Sequence, residues 1–177
     1  MPILTGGNVI DGGSMRPLRV AGVPSAGTSE VQTITFGGTP TGGTFTLTFE
    51  GFTTAAISWS ATNSTLVANI DAALEALSNI GTGGVTTAVG TMTAGIGTIT
   101  VTFAGNLAKK AVGLMTATSS LTGTAPTLAV AETTPGVNPT FPGAPVGQLV
   151  VDETNAKLYI NTGTALSQTW TVAGTQS

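Results

Sequence analysis

The groups able to do chemistry in this chain are few. Its 177 residues hold eight Asp and Glu, five Lys and Arg, and no histidine or cysteine. Without imidazole or thiolate there is no Ser-His-Asp or Cys-His nucleophile, and no histidine-containing zinc or facial-triad iron site. Two pairs of carboxylates remain. Asp71 and Glu75 are four apart on a predicted helix and so share a face, and Asp152 is followed directly by Glu153. A paired-carboxylate enzyme holds such groups about 5–10 Å apart in unequal environments. A solvated helix face and a polar turn are the preferred readings of these two pairs. Calcium demands six to eight oxygen ligands, a density of acids that no loop here reaches. Lys109, Lys110 and Lys157 are the only lysines, and no serine stands in a pattern that would make a Ser-Lys pair. The glycine-rich stretches at 81–84 and 95–97 lack the lysine of a phosphate loop and the spacing of a dinucleotide turn, and read as turns. Asn63-Ser64-Thr65 matches a glycosylation acceptor in pattern, but a helix cap explains it better. The chain is read as non-enzymatic, with no cofactor and no metal.

The elements that would position these groups are mainly strands. Apolar residues make up 41% and charged residues 7% of the chain, and roughly one residue in five is threonine. Disorder goes with low hydrophobicity and high net charge, and both quantities lean the other way here, so the chain is expected to fold. Branched and aromatic side chains fit a pleated surface, while 25 glycines and nine prolines supply turns. Edge strands are commonly protected by charge. On so uncharged a β protein something else must cover them, and close packing in a permanent assembly would do so. A net charge of −3 offers no field to gather phosphates, so nucleic acid is not an expected partner. The first residues lack the charged start and apolar core of a signal peptide, and no apolar run approaches the roughly 18 residues of a membrane span. Synthesis in a cytoplasm, with no membrane partner, is the expectation.

Three parts are expected along the chain. Residues 1–28, rich in glycine and proline, read either as a disordered terminus or as an extended arm that orders on a neighbouring subunit, with Arg16 and Arg19 meeting carboxylates there. Residues 29–131 read as a small sheet or β-sandwich carrying one helix at about 64–80. In 44–50, Phe45, Leu47 and Phe49 alternate with threonines, the period of a half-buried strand. Val31 to Phe36 is its expected hairpin partner across the link 37–43, Thr53 to Trp59 follows, and Thr98 to Phe103 with Ala111 to Met115 complete about five strands. Leu66, Ile70, Ala73, Leu74 and Leu77 form the helical stripe, with Asn63, Ser64 or Thr65 as cap and Gly81 as stop. Residues 132–146, with four prolines, read as a stiff linker. The last part, 147–177, reads as a three-stranded β module too small to stand alone, with Tyr159 and Trp170 as its anchors, either on the chain's own main domain or on a partner.

Two stretches carry a resemblance. Glu30 to Thr35, Pro40 to Gly51, Ala72 to Gly81 and Val101 to Gly105 resemble a module of tailed-phage virion proteins that also occurs in some large bacterial surface proteins. Gly147 to Thr164 with Thr169-Trp170-Thr171 resembles a short β segment of phage head-decoration, fibre and tail proteins. The resemblance implies a particle component in a virion assembled in the host cytoplasm. Most specifically it implies a capsid decoration or cement protein, with the major capsid lattice as partner and symmetric self-association, a trimer being one form. A minor tail or fibre protein, and a bacterial surface or carbohydrate-binding module, are the alternatives. It transfers no active-site residue.

Overall fold

The computed structural model describes residues 3–5, 8–11 and 14–174, with side chains from residue 17 onward. The described chain is mainly β, with thirteen strands and one α-helix. It divides into two compact units, one made of Thr28–Val137 and the other of Met1–Gly27 together with Asn138–Ser177.

The Thr28–Val137 unit is a small β-sandwich-like domain carrying the helix. Its sheet runs β10-β5-β9-β8, where β5 is Val31–Phe49, β8 is Val85–Thr93, β9 is Ile96–Phe103 and β10 is Thr116–Thr134. Two short strands, β6 (Phe52–Thr53) and β7 (Ile57–Ser58), also pair with β5. The link 37–43, expected as a hairpin turn, lies inside β5, a single strand of 19 residues paired with β10 along its length. Turn composition there serves to bend a strand. Buried positions are even in the first half of β5 (Gln32, Ile34, Phe36) and odd in the second (Phe45, Leu47, Phe49). That change of parity needs an inserted residue, and Thr41 is skipped between the pairs Pro40↔Gly123 and Gly42↔Thr122. Pro40 sits beside this bulge, where a missing N–H is tolerated.

The bend is large. Phe36 and Phe45 are nine residues apart, which is about 30 Å along a straight strand, yet their rings meet edge to face with centroids 5.2 Å apart. Gly43 (φ +92) and Gly123 (φ +135) make the crossing. A Cβ on Gly43 would lie 2.4 Å from the Ser120 carbonyl oxygen, and one on Gly123 would lie 2.2 Å from that of Thr39. The two halves of the ladder therefore share one core, to which Ile99, Val101 and Phe103 of β9 also belong.

Helix α1, Asn63–Glu75, closes this core with Leu66, Ile70 and Leu74, all fully buried. It ends earlier than the apolar stripe predicts. Residues 76–80 continue as turns, and Leu77 and Ile80 still reach the core; Gly81, at φ +74, donates to the Leu77 carbonyl at 2.8 Å. No side chain caps the first turn. The Asn63 amide is used elsewhere, accepting from Gly95 N–H at 2.9 Å and donating to the Met92 carbonyl at 3.1 Å. It thereby ties the β8–β9 turn to the start of the helix.

The segment 111–115, expected as a strand, has no strand pairing. Side chains hold it instead. Buried Glu30 accepts from Val112 N–H at 2.8 Å, and buried Gln32 accepts from Met115 N–H at 2.9 Å and donates to the Gly113 carbonyl at 3.0 Å. The first stretch of the expected linker continues β10 to Thr134. Thr28 and Val137 then exchange two backbone hydrogen bonds, 2.8 and 2.9 Å, so the unit begins and ends side by side.

The other unit has two small sheets. β1 (Ile3–Thr5), β2 (Asn8–Asp11) and β3 (Ser14–Arg16) form an antiparallel three-stranded sheet in the region expected as an extended arm. β4 (Leu18–Val20), β11 (Leu149–Asp152), β12 (Lys157–Asn161) and β13 (Trp170–Val172) form the second, in the order β13-β12-β11-β4. β4 lies parallel to β11, with Leu18, Arg19 and Val20 opposite Val150, Val151 and Asp152. The three-stranded C-terminal module of the sequence reading thus gains its fourth strand from the N-terminal region.

Candidate functional site

The sheet of β4, β11, β12 and β13 places three of the four residues singled out as partner contacts. Arg19 is at the centre of β4, Tyr159 at the centre of β12 and Trp170 at the start of β13. Arg16 ends β3, and its side chain lies outside the described residues. Arg19 does meet a carboxylate, but in its own chain. Its guanidinium donates to Glu153 Oε1 at 2.6 Å, with the two side chains 66% and 50% exposed. An exposed pair of this kind contributes about 0–1 kcal/mol, enough to favour the alignment of β4 and little more. Tyr159 is buried within the unit, where it packs the sheet. Trp170 is partly buried with its ring 6.0 Å from that of Phe141, edge to face, and its Nε1 is buried with no acceptor among the described residues.

Two buried polar residues hold this unit together: Asp152, which the sequence offered only as part of a polar turn, and Asn161, which it did not mark at all. Asp152 ends β11, and its carboxylate is out of contact with solvent. Oδ1 accepts from the N–H groups of Gly22 (2.9 Å), Thr154 (2.9 Å) and Asn155 (3.1 Å), and Oδ2 accepts from Asn155 Nδ2 (2.7 Å). Burial alone raises the pKa of such a carboxyl. The hydrogen bonds from Asn155, Thr154 and Gly22 outweigh it and hold Asp152 below the ordinary carboxylate value. The Asp-Glu-Thr-Asn turn is legible as a turn in sequence, because Asp readily bonds the backbone two residues on. The Gly22 contact, from 130 residues away, is not. Asn161 is equally buried: Nδ2 donates to the carbonyls of Ala144 (2.7 Å) and Pro145 (3.1 Å), and Oδ1 accepts from Gly163 N–H (3.0 Å) and Thr169 N–H (2.9 Å).

The carboxylates of the helix are used locally. Asp71 Oδ1 accepts from Thr87 Oγ1 at 2.8 Å, and Glu75 Oε1 accepts from Gly83 N–H at 2.6 Å. Among the described residues no group of three or more Asp and Glu is placed to hold a metal ion. No helix there is long and apolar enough to cross a membrane. The Thr28–Val137 unit carries a groove of about 480 Å³ between α1 and β8, lined by Ser64, Val67, Ala68 and Asp71 on the helix and by residues 85–89 on the strand. It is open and shallow, the form of a surface for a chain segment more than of a pocket enclosing a small substrate.

Compared with protein-family models and with curated proteins, the chain matches none.

Proposed function

We propose that this chain is a structural component of a tailed-phage particle, a decoration or cement protein that binds the outer face of the major capsid lattice and stabilises it. The observation that carries the reading is the state of the sheet edges in the Thr28–Val137 unit. β10 is an edge strand of 19 residues with one charged side chain, Glu132, and β8 is an edge strand of nine residues with none. Soluble monomers usually guard such edges with lysine or cover them. Bulges and Pro126 interrupt β10 beyond Thr122, and a bulge interrupts β8 beyond Val89, but 116–122 and 85–89 have no such guard; edges left open there suit a protein whose working state is a close-packed assembly, where many modest contacts add through multivalency. The resemblance of the 30–105 and 147–171 stretches to virion modules supports the same assignment.

The experiment is quantitative mass spectrometry of purified particles of the phage encoding the chain, with copy number set against the major capsid and tail-tube proteins. Hundreds of copies in tail-free heads are expected. A handful of copies confined to tailed particles would move the protein to the tail, and absence from particles would overturn the assignment.

A further inference from the structure

The two edges of the main sheet differ in what lies beside them. β8 is flanked by α1, and the space between is the groove of about 480 Å³. Which main-chain groups face that groove follows from the ladder. Phe103 N–H points to β5, since it donates to the Glu30 carbonyl, whereas Ala104 N–H points towards the β8 side and donates to the Gly84 carbonyl. Alternation along β9 and the register Thr86↔Thr102, Ala88↔Thr100 then turn the backbone of Thr86 and Ala88 inward. The N–H and C=O groups of Val85, Thr87 and Val89 point outward, three rungs with no partner among the described residues.

The same reasoning applies to β10. Leu47 uses its carbonyl towards Thr54, on the side of β5 away from β10. Thr44, Thr46 and Thr48 therefore face β10 and bond its Ser120, Thr118 and Thr116. Ala117, Ser119 and Leu121 point outward, again three rungs at a spacing of two. Leu121 N–H has a 3.4 Å contact to Ser119 Oγ, a weak bond that a strand partner would replace.

We propose that copies of this chain join by continuing the sheet: the groove between α1 and β8 of one copy receives the Ala117, Ser119 and Leu121 edge of β10 from a second copy. The occupant follows from the matching open rungs of the two edges, and electrostatics favours this register over one that docks the Glu132 end. The groove has one charged residue, Asp71, and β10 has one, Glu132. Docking the 117–121 end keeps the two carboxylates apart and brings only small or uncharged side chains against Val67 and Ala68. The contact is heterologous, so it builds rings or rows and does not stop at a two-fold dimer. The inference rests on the assembly reading above, since it supposes that the plain edges are covered by protein.

Sedimentation velocity of the full chain over a wide concentration range tests it, with amide hydrogen exchange in parallel. Mass is expected to rise with concentration, and protection of Val85, Thr87 and Val89 is expected to rise with it. Val89→Pro and Ser119→Pro each delete one outward N–H and spare the internal ladder, and each alone is expected to weaken association about tenfold or more. Mixed together they are expected to form a heterodimer that grows no further, because one variant retains a sound β10 edge and the other a sound groove. Self-association of Val89→Pro at the unaltered level would overturn the inference. So would a monomer at every concentration, or association that leaves the three amides unprotected. Should either proline variant lose its circular dichroism, the exchange measurement on the unaltered chain decides. A strictly monomeric chain present in heads at hundreds of copies would refute this contact and leave the decoration reading standing.

Discussion

Replacing Asn161 by alanine is expected to destabilise the unit built from the two chain ends strongly and to leave the Thr28–Val137 unit intact. The side chain is fully buried and makes four hydrogen bonds to main-chain groups. The Pro145 carbonyl keeps a second donor, Gln148 N–H at 3.1 Å, so three groups lose a bond that nothing else shown replaces: Ala144 C=O, Gly163 N–H and Thr169 N–H. A buried polar group left unpaired costs about 1–3 kcal/mol. Water reaches the 162–169 loop more easily than the strands, which places the sum near the low end, at about 3 kcal/mol. Domains hold about 0.05–0.15 kcal/mol per residue. A unit of roughly 70 residues therefore has about 3–10 kcal/mol in all, and the loss takes a third of it or more. Hydrogen exchange read peptide by peptide separates the units. Protection over 149–161 and 18–22 is expected to fall about a hundredfold, following 1.4 kcal/mol per decade, with peptides from α1 and β9 unchanged. Unchanged protection over 149–161 would refute the assignment of Asn161 as the hub. An equal loss in both units would refute their independence.

Three further outcomes follow from the same geometry. Because Asp152 titrates below its ordinary value when folded, its contribution is present at neutral pH and is lost as pH falls through the depressed folded pKa; protection at Gly22, Thr154 and Asn155, taken relative to the intrinsic exchange rate at each pH, is expected to fall on acidification, and Asp152→Asn to remove that acid limb. Ile70→Ala is expected to cost the Thr28–Val137 unit about 2–5 kcal/mol, read as a lower transition in calorimetry while the other unit's transition stays in place. Arg19→Ala is expected to cost less than about 1 kcal/mol and to leave β4 paired, which unchanged exchange at residues 18–20 would verify.

Local composition and period were sufficient wherever one element decides its own form. The alternation of Phe45, Leu47 and Phe49, the stripe of Leu66, Ile70 and Leu74, and the hairpin of 149–152 with 157–161 each need only a periodicity and a turn residue, and each is legible from its neighbours in sequence. The mainly β class with one helix follows from the same signals together with the abundance of threonine. The form of 37–43 depends on a distant partner: its glycines and proline read as a turn until β10 pairs across them and converts the same residues into a bend. β10 itself has no strong alternation because most of its side chains are exposed, and its strand character comes from the ladder it completes. The segment 111–115 has strand composition, but side-chain bonds from Glu30 and Gln32 take the place of a sheet neighbour.

At the chain ends the limit is sequence distance. Asp152 and Asn161 are ordinary polar residues in a row of letters, and their weight comes from burial against backbone groups that include one 130 residues away. Glycine and proline in 1–28 suggested an arm because its strands are only three or four residues long; β1, β2 and β3 pair with one another, whereas the partner of β4, β11, lies at the other end of the chain. The class of fold, the poverty of charge and the lack of histidine and cysteine chemistry are all legible in the row of residues. Tertiary structure alone decided which ends meet and which edges stay open, since backbone hydrogen bonds between distant strands carry no local signature.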